Sequence, residues 1–349
     1  MKNYIEINNR KIGQGFSPYV IAEMSANHNG NIDTAFAIIE QAALSGADAV
    51  KIQTYKPDTI TLESDLPDFR IDEGLWKGRT LFELYDWAHT PWDWHKALFN
   101  CANKFNITMF SSPFDTTAVD LLEDLGAPAY KIASFEAIDL KLIEYVAATG
   151  KPMIISTGMA NFQEISEAIE TAKQNGCKEL AILHCVSGYP APSEDYNLAT
   201  IPDMINNFDL VTGISDHTLS NVTSIAAVSL GASIIEKHFT LDRNGGGPDD
   251  SFSLEPDDLI DLCLGAKTAW NSLGQINYDR KASEEENLKF RRSLYFVSDL
   301  KKGDIIEKES IKSVRPGFGL APKFFDEIIG KKVNCDVKFG TPVALKFIQ

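Results

Sequence analysis

Over residues 19–272 the chain repeats one pattern. A short, β-rich apolar run ends in polar residues, and a stretch with helical spacing follows. The runs are YVIAEMSAN (19–27), AVKIQTY (49–55), ITMFSSPF (107–114), AYKIASFE (129–136), PMIISTGM (152–159), LAILHCVS (180–187), LVTGISDH (210–217) and SIIEKHFT (233–240). Between them, segments such as DTAFAIIEQAALSG (33–46), TAVDLLEDLGA (117–127) and FQEISEAIETAKQNG (162–176) repeat apolar residues at helix spacing. Gly46, Gly126 and Gly176 stand where these helices should stop. Eight strand–helix units over about 250 residues predict a (β/α)₈ TIM barrel. The rival is an open doubly wound sheet, whose usual Gly-rich phosphate fingerprint after the first strand is missing here.

Two connections are too long for simple turns, residues 56–91 and 241–254, and both leave the C-terminal ends of predicted strands. Long loops in compact folds tend to be lids or binding loops. After Leu273 the texture changes. Residues 275–292 are charged and read as a linker, and residues 293–349 carry short β-like runs with Gly turns (KKGDII, RPGFGL, IGKKV, KFGTPV). The expected organisation is therefore a barrel over 1–274, a linker over 275–292 and a small β domain over 293–349.

Composition narrows the function. Hydrophobic residues make up 44% of the chain, yet no run approaches the roughly 20 apolar residues of a membrane helix. The N-terminal MKNYIEINNRKIGQG has no apolar core of a signal peptide. The five cysteines are scattered without a CxxC pair, as expected of reduced thiols in the cytoplasm. A net charge of −16 argues against nucleic-acid and anionic-membrane partners. It also means that a site for an anionic substrate must build its positive potential locally.

A barrel gathers its strand ends on one face, and here those ends are polar. His217 and His238 close the seventh and eighth runs. They are either two ligands of one divalent metal or two unrelated polar histidines. Glu23, in the first run, comes next to the eighth when the barrel closes, within reach of such a metal or its water. Imidazole, carboxylate and water donors suit Mn²⁺. Lys51 and Lys131 sit among apolar neighbours in AVKIQ and AYKIA. A buried ammonium needs a partner: a carboxylate such as Glu23 or Glu136, an anionic ligand, or a Schiff base formed by the amine itself. Ser111 or Ser112, Ser134, Ser156, Ser187 and Ser215 add hydroxyls on five successive strand ends, a cradle for phosphate or carboxylate oxygens. WDWH (92–95) reads as packing, His89 and His95 as surface or capping residues, and the GGG at 245–247 as a mobile loop.

These motifs together resemble the sialic acid synthase family. The likeness runs through IAEMSANHNG (21–30), KIQTY (51–55), FSSPFD (110–115), KIASFE (131–136), ISTGM (155–159), HCVSGYP (184–190), GISDHT (213–218), EKHFTLD (236–242), RSLYFVSDLKKGD (292–304) and SVRPGFGLAPKF (313–324). It covers almost the whole chain. It implies a TIM barrel followed by an antifreeze-like (SAF, β-clip) domain, a domain-swapped homodimer, and condensation of phosphoenolpyruvate with an amino-sugar aldehyde to give a nine-carbon 2-keto acid and phosphate. By position, the resemblance implies that His217 and His238 hold Mn²⁺ (or Mg²⁺ or Co²⁺) and that Glu23 acts near the metal and water. Lys51, Ser112, Lys131, Ser134, Ser156, Ser187 and Ser215 would bind phosphoenolpyruvate. Gln53, Glu136, Tyr189 and Asp249 would meet the sugar, and Arg315 would reach the partner's site. Proton handling falls to Glu23 or Glu136, with no choice between them. Ser187 departs from the neuraminate-forming branch, which has Asn there. SFEA (134–137), FSSPF (110–114) and EGLW (73–76) incline toward the pseudaminate-forming branch, whose sugar is 2,4-diacetamido-2,4,6-trideoxy-L-altrose, over the legionaminate- and neuraminate-forming ones. Two other readings stand beside it: a lysine aldolase using Lys131, and a non-catalytic sugar- or metal-binding barrel.

Overall fold

A computed structural model describes residues 4–349. The chain divides into two compact units, residues up to Gly274 and Gln275–Gln349.

The first unit opens with a hairpin, β1 (Ile5–Ile7) and β2 (Arg10–Ile12), turned by Asn8 and Asn9 at positive φ. Eight parallel strands follow: β3 (Tyr19–Glu23), β4 (Ala49–Thr54), β5 (Thr108–Pro113), β6 (Tyr130–Ile132), β7 (Met153–Ser156), β8 (Leu180–Cys185), β9 (Val211–Ser215) and β10 (Ile234–His238). They pair in chain order, and β10 pairs with β3 to close the barrel. The predicted (β/α)₈ barrel is therefore observed, and each of the eight sequence runs contains one of its strands.

Strand alternation decides what the barrel holds, because successive side chains face opposite ways. One parity faces out, as with Val20, Ala22, Val50, Ile52, Ile155 and Ile182, and packs under the helices. The other parity faces in. Its lower positions, Tyr19, Ile21, Ala49, Phe110, Ala129, Ile154, Leu183 and Ile234, form a dry layer. Ile5, Ile7 and Ile12 of the hairpin join that layer from below, so the barrel bottom is plugged. The upper inward positions of the same strands are polar: Glu23, Lys51, Gln53, Ser112, Lys131, Ser156, Ser215, Glu236 and His238. Gly213 is the inward residue where β9 crosses this stack. A methyl group there would stand 2.4 Å from the Ile234 carbonyl oxygen and 2.7 Å from Leu183.

Helix starts follow their caps. Asn31 accepts from the Asp33 amide ahead of Ile32–Leu44, Asp115 from Thr117 and Ala118 ahead of Thr116–Asp124, and Asn161 closes a capping box with Glu164 ahead of Phe162–Gln174. No helix among the described residues is long and apolar enough to cross a membrane.

The second unit is built on an antiparallel pair, β11 (Ser293–Phe296) and β12 (Ile311–Val314), with its own core of Leu294, Phe296, Ile306, Ile311, Ile328, Val333, Val337 and Val343. Within the stretch expected to be a linker, Ala282–Phe290 forms a 3₁₀ helix. Arg315 follows β12 and is exposed.

Candidate active site at the C-terminal mouth of the barrel

The polar layer begins one step above the dry one. Lys51 on β4 and Lys131 on β6 are inward neighbours of Phe110, Ile154 and Ala129, and both are almost fully buried. Each finds a carboxylate. Lys51 Nζ lies 2.7 Å from Glu23 Oε2 and donates to Ser112 Oγ at 3.1 Å. Lys131 Nζ donates to Glu236 Oε1 at 3.2 Å, and Ser215 Oγ donates to the same oxygen at 3.1 Å. Glu236 Oε2 is 3.9 Å from Lys51 Nζ, so the two pairs form one quartet. The sequence places Glu236 at a strand end but does not reveal it as the counter-ion of both lysines, since 105 residues separate it from Lys131. Glu136 is not that partner: its Oε2 is buried without a hydrogen bond.

The quartet is electrostatically uneven. Burial pushes Glu23 up, and neighbouring Glu236 reinforces the shift against the pull of Lys51. Burial also works against ionised Glu236, yet Lys131 and Lys51 outweigh it and hold that carboxyl below its ordinary value. Lys131 is depressed by burial and by Lys51 despite its bond to Glu236. The two carboxyls are thus pushed in opposite directions, Glu236 down and Glu23 up, and Lys51, against its burial, is raised by its pairing with both.

Beside the lysines is a patch of unused donors. Ser156 Oγ and Ser187 Oγ are buried and unpartnered. Ser134 Oγ accepts from the Gly158 amide at 3.2 Å. A methyl group on Gly158 would lie 2.3 Å from Ser187 Oγ and 2.8 Å from Ser134 Oγ, so glycine keeps this space open. Buried hydroxyls without partners are costly, and their concentration next to two ammonium groups marks a place for anionic oxygens.

The two histidines stand at the rim. Their ring centroids are 5.5 Å apart. His217 Nδ1 is tied to the Val186 carbonyl at 2.8 Å, which fixes the ring, and the Tyr196 hydroxyl accepts from the His217 amide at 2.7 Å. His238 Nδ1 is buried with no hydrogen-bond partner and lies 3.8 Å from Asp249 Oδ2. Burial, His217 and the nearby lysines hold His238 well below its ordinary pKa, so it is a neutral imidazole with a free lone pair. His217 shifts the other way: against its burial, Cys185, the Val186 carbonyl and Glu236 hold it above its ordinary value. Two imidazoles side by side are still a donor pair for a divalent cation, although no group of three or more His, Cys, Asp or Glu suited to a metal occurs among the described residues.

The expected sugar-contacting residues of the barrel meet here too. Gln53 donates to Glu23 Oε1 at 3.1 Å and to Ser25 Oγ at 3.0 Å, and Ser25 donates to Asp249 Oδ2 at 2.5 Å. Tyr189 lies over His217 with centroids 4.3 Å apart. Three further residues at this mouth were not singled out from sequence: Cys185, whose thiol helps raise His217; Phe252, 5.0 Å from the His238 ring; and Trp76. Arg315 belongs to the other unit. His95 is a correction. It is fully buried, its Nε2 bonded to Thr54 Oγ1 at 2.8 Å and its Nδ1 to the Pro91 carbonyl oxygen at 3.1 Å, because the helix that starts at His95 packs that face on β4. In the GGG segment the Gly247 amide donates to Asp250 Oδ2 at 2.8 Å.

A closed eight-stranded barrel with a buried charged layer under its C-terminal mouth is the architecture of a TIM-barrel enzyme. Residues 38–278 match the NeuB family and residues 291–349 the SAF domain. The chain belongs to the NeuB family. It is 44% identical over 322 residues to a pseudaminic acid synthase of Campylobacter jejuni, covering 92% of this chain and 94% of that protein. It is 40% identical over 334 residues to the pseudaminic acid synthase of Helicobacter pylori, covering 95% and 98%. Among solved structures, the spore coat polysaccharide biosynthesis protein of Bacillus subtilis superposes with a TM-score of 0.68 at 33% identity, covering 99% of both chains.

Proposed function

We propose that this protein is a pseudaminic acid synthase, condensing phosphoenolpyruvate with 2,4-diacetamido-2,4,6-trideoxy-L-altrose to release phosphate. The observation that carries the reading is the set of unpartnered groups at the barrel mouth. Ser156 Oγ and Ser187 Oγ are buried without partners, and Ser187 and Ser134 border the opening kept by Gly158, at the mouth that also holds His217 and His238.

In this reading Lys51, Lys131, Ser112, Ser134, Ser156, Ser187 and Ser215 hold the carboxylate and phosphate of phosphoenolpyruvate. Gln53, Tyr189 and Asp249 hold the sugar, and His217 and His238 hold a divalent cation, Mn²⁺ in first place. That cation, when bound, supplies Lewis acidity to the aldehyde oxygen. The C3 carbon of the enol phosphate forms the new bond to the aldehyde carbon, whose oxygen takes a proton and becomes a hydroxyl. Water adds at C2 and gives up its protons, and the C2–O bond to phosphate then breaks, leaving the 2-keto acid. Glu136 is the proton acceptor on this path. It lies in the 3₁₀ turn Ser134–Glu136 that follows β6, has an unpartnered Oε2, and burial pushes it up to about 7, close to the working pH that general-base catalysis favours. Glu23 serves by holding Lys51 and Gln53 in place.

The protein acts in the cytoplasm as a homodimer in which exposed Arg315 of one chain completes the site of the other. Chains carrying Arg315→Ala and chains carrying Lys131→Met, each inactive, should regain part of the activity when mixed; a mixture as inactive as its components refutes the exchange. The function itself is tested by incubating the protein with phosphoenolpyruvate, Mn²⁺ and each candidate sugar. Phosphate release with the trideoxy-altrose derivative is expected. Release only with N-acetylmannosamine overturns the assignment.

A further inference from the structure

The long connection after β4 has one inward-turned residue at its tip. Residues 70–80 fold back on themselves: Arg70 bridges Thr80, and the Gly78 amide donates to the Ile71 carbonyl at 2.8 Å. Gly74 and Gly78 take φ values of 80° and 92°, which side chains with a Cβ resist, so the tip turns sharply. From Asp72 to Arg79 every residue is exposed except Trp76. Its indole N–H donates to the Pro248 carbonyl at 3.0 Å, in the other long connection, one residue before Asp249. Its ring lies 6.2 Å from that of Tyr189, which in turn packs on His217 and, at 5.5 Å, on Phe252. The two loops after β4 and β10 thus meet above the histidines through one side chain.

We infer that Trp76 is a specificity-determining residue: it latches the 70–80 loop over the barrel mouth and, with Tyr189 and Phe252, forms an apolar wall for the acceptor sugar. This rests on the condensing reading of the site. The wall faces the histidines rather than the quartet of Lys51, Lys131, Glu23 and Glu236, which lies deeper. It therefore meets the second substrate and not the enol phosphate. An aromatic wall favours a sugar that presents methyl groups, such as a 6-deoxy carbon or an acetamido methyl, over one that presents a hydroxyl at the same place.

The test uses the full chain and two variants. Trp76→Ala removes latch and wall, and Trp76→Phe removes the N–H donor but keeps a ring. Tryptic cleavage after exposed Lys77, followed by mass spectrometry without any substrate, reads the latch. Both variants should be cut at least about tenfold faster than wild type if that one contact holds the loop closed. Steady-state kinetics reads the wall. In Trp76→Ala the KM for the acceptor sugar should rise about tenfold or more while that for phosphoenolpyruvate stays within about twofold, and Trp76→Phe should keep most of the sugar affinity. Wild-type cleavage rates in Trp76→Ala, or equal rises in both KM values, overturn the inference. Failure of the wild type to turn over any candidate sugar sinks the condensing reading and the wall with it, whereas the cleavage comparison still decides whether Trp76 holds the loop.

Discussion

Glu136→Gln separates the charge of this carboxyl from its shape. Glu136 Oε2 is enclosed without a hydrogen-bond partner. Burial raises the carboxyl from 4.5 to about 7, against weaker opposition from its own backbone amide and Lys131. At about 1.4 kcal/mol per pH unit, ionising it in the folded chain costs roughly 3 kcal/mol more than in the unfolded one. The sign follows from the raised folded value. Between 4.5 and about 7 the folded chain binds the extra proton, so the contribution to stability is complete below 4.5 and lost as the pH rises through about 7. Glutamine keeps the outline and cannot ionise. At pH 4 the variant should match wild type closely; at pH 8.5 it should be more stable by up to about 3 kcal/mol. Urea unfolding followed by tryptophan fluorescence suits this, because all five tryptophans lie before residue 275 and report the barrel alone. Other titrating groups cancel in the comparison of wild type with variant. The same difference at both pH values would refute the burial argument. If Glu136 accepts the proton in catalysis, the variant should also lose the activity limb near pH 7.

Gly158→Ala should raise the KM for phosphoenolpyruvate about tenfold or more, since its methyl group displaces Ser187 and Ser134; a KM unchanged within error in steady-state assays removes this opening from the phosphate site. Gly213→Ala should lower barrel stability by about 1–3 kcal/mol through overpacking on Ile234 and Leu183, read as a lower urea midpoint, and an unmoved midpoint would show that the layer can yield. Glu236→Gln leaves Lys131 and Lys51 short of a counter-ion and should cost about 3–5 kcal/mol. Lys131→Met combined with Glu236→Leu should recover most of that stability in the same titration while remaining inactive, and activity in the double variant would place the chemistry elsewhere.

The barrel was legible because its signal is local and repeated. Each strand announced itself by an apolar run, and parity within a run sorts inward from outward residues. The hairpin at 5–12 escaped because IEI and RKI are too short to show a period; the Asn8–Asn9 pair was the available turn signal. The site was legible as a set of strand-end polar residues, since barrel closure brings any such set together. Its pairings were not. Which carboxylate meets Lys131 depends on how far β6 and β10 lean across the barrel, and no window of sequence contains both. His95 was misread for a related reason. Its helix face is defined by contact with Thr54, 41 residues earlier, and not by its immediate neighbours. Trp76 sits in a tip with no regular period, where only the fold shows which way a side chain turns.

The buried lysines show how satisfaction, more than burial, separates support from function. Residues 1–274 carry 38 acidic and 18 basic side chains, so the barrel as a whole repels anions. Among the described residues three of those basic side chains are buried: Lys51, Lys131 and Lys237. An ammonium has three N–H donors. Lys237 spends its donors on Asp216 Oδ2 at 3.0 Å, the Thr218 carbonyl at 2.7 Å and the Ser220 carbonyl at 3.1 Å, binding the segment next to His217 to β10. It faces out, between inward Glu236 and His238, and has nothing left to offer a ligand. Lys131 faces in, and among the described residues its one hydrogen bond is to Glu236. That leaves two of its three N–H groups uncommitted, and Ser156 Oγ and Ser187 Oγ at the same mouth have no partners either. A folded chain tolerates such a deficit only where something else completes it. The local donors that a −16 chain needs for an anion therefore include one inward lysine that spends a single N–H on Glu236 and keeps the other two.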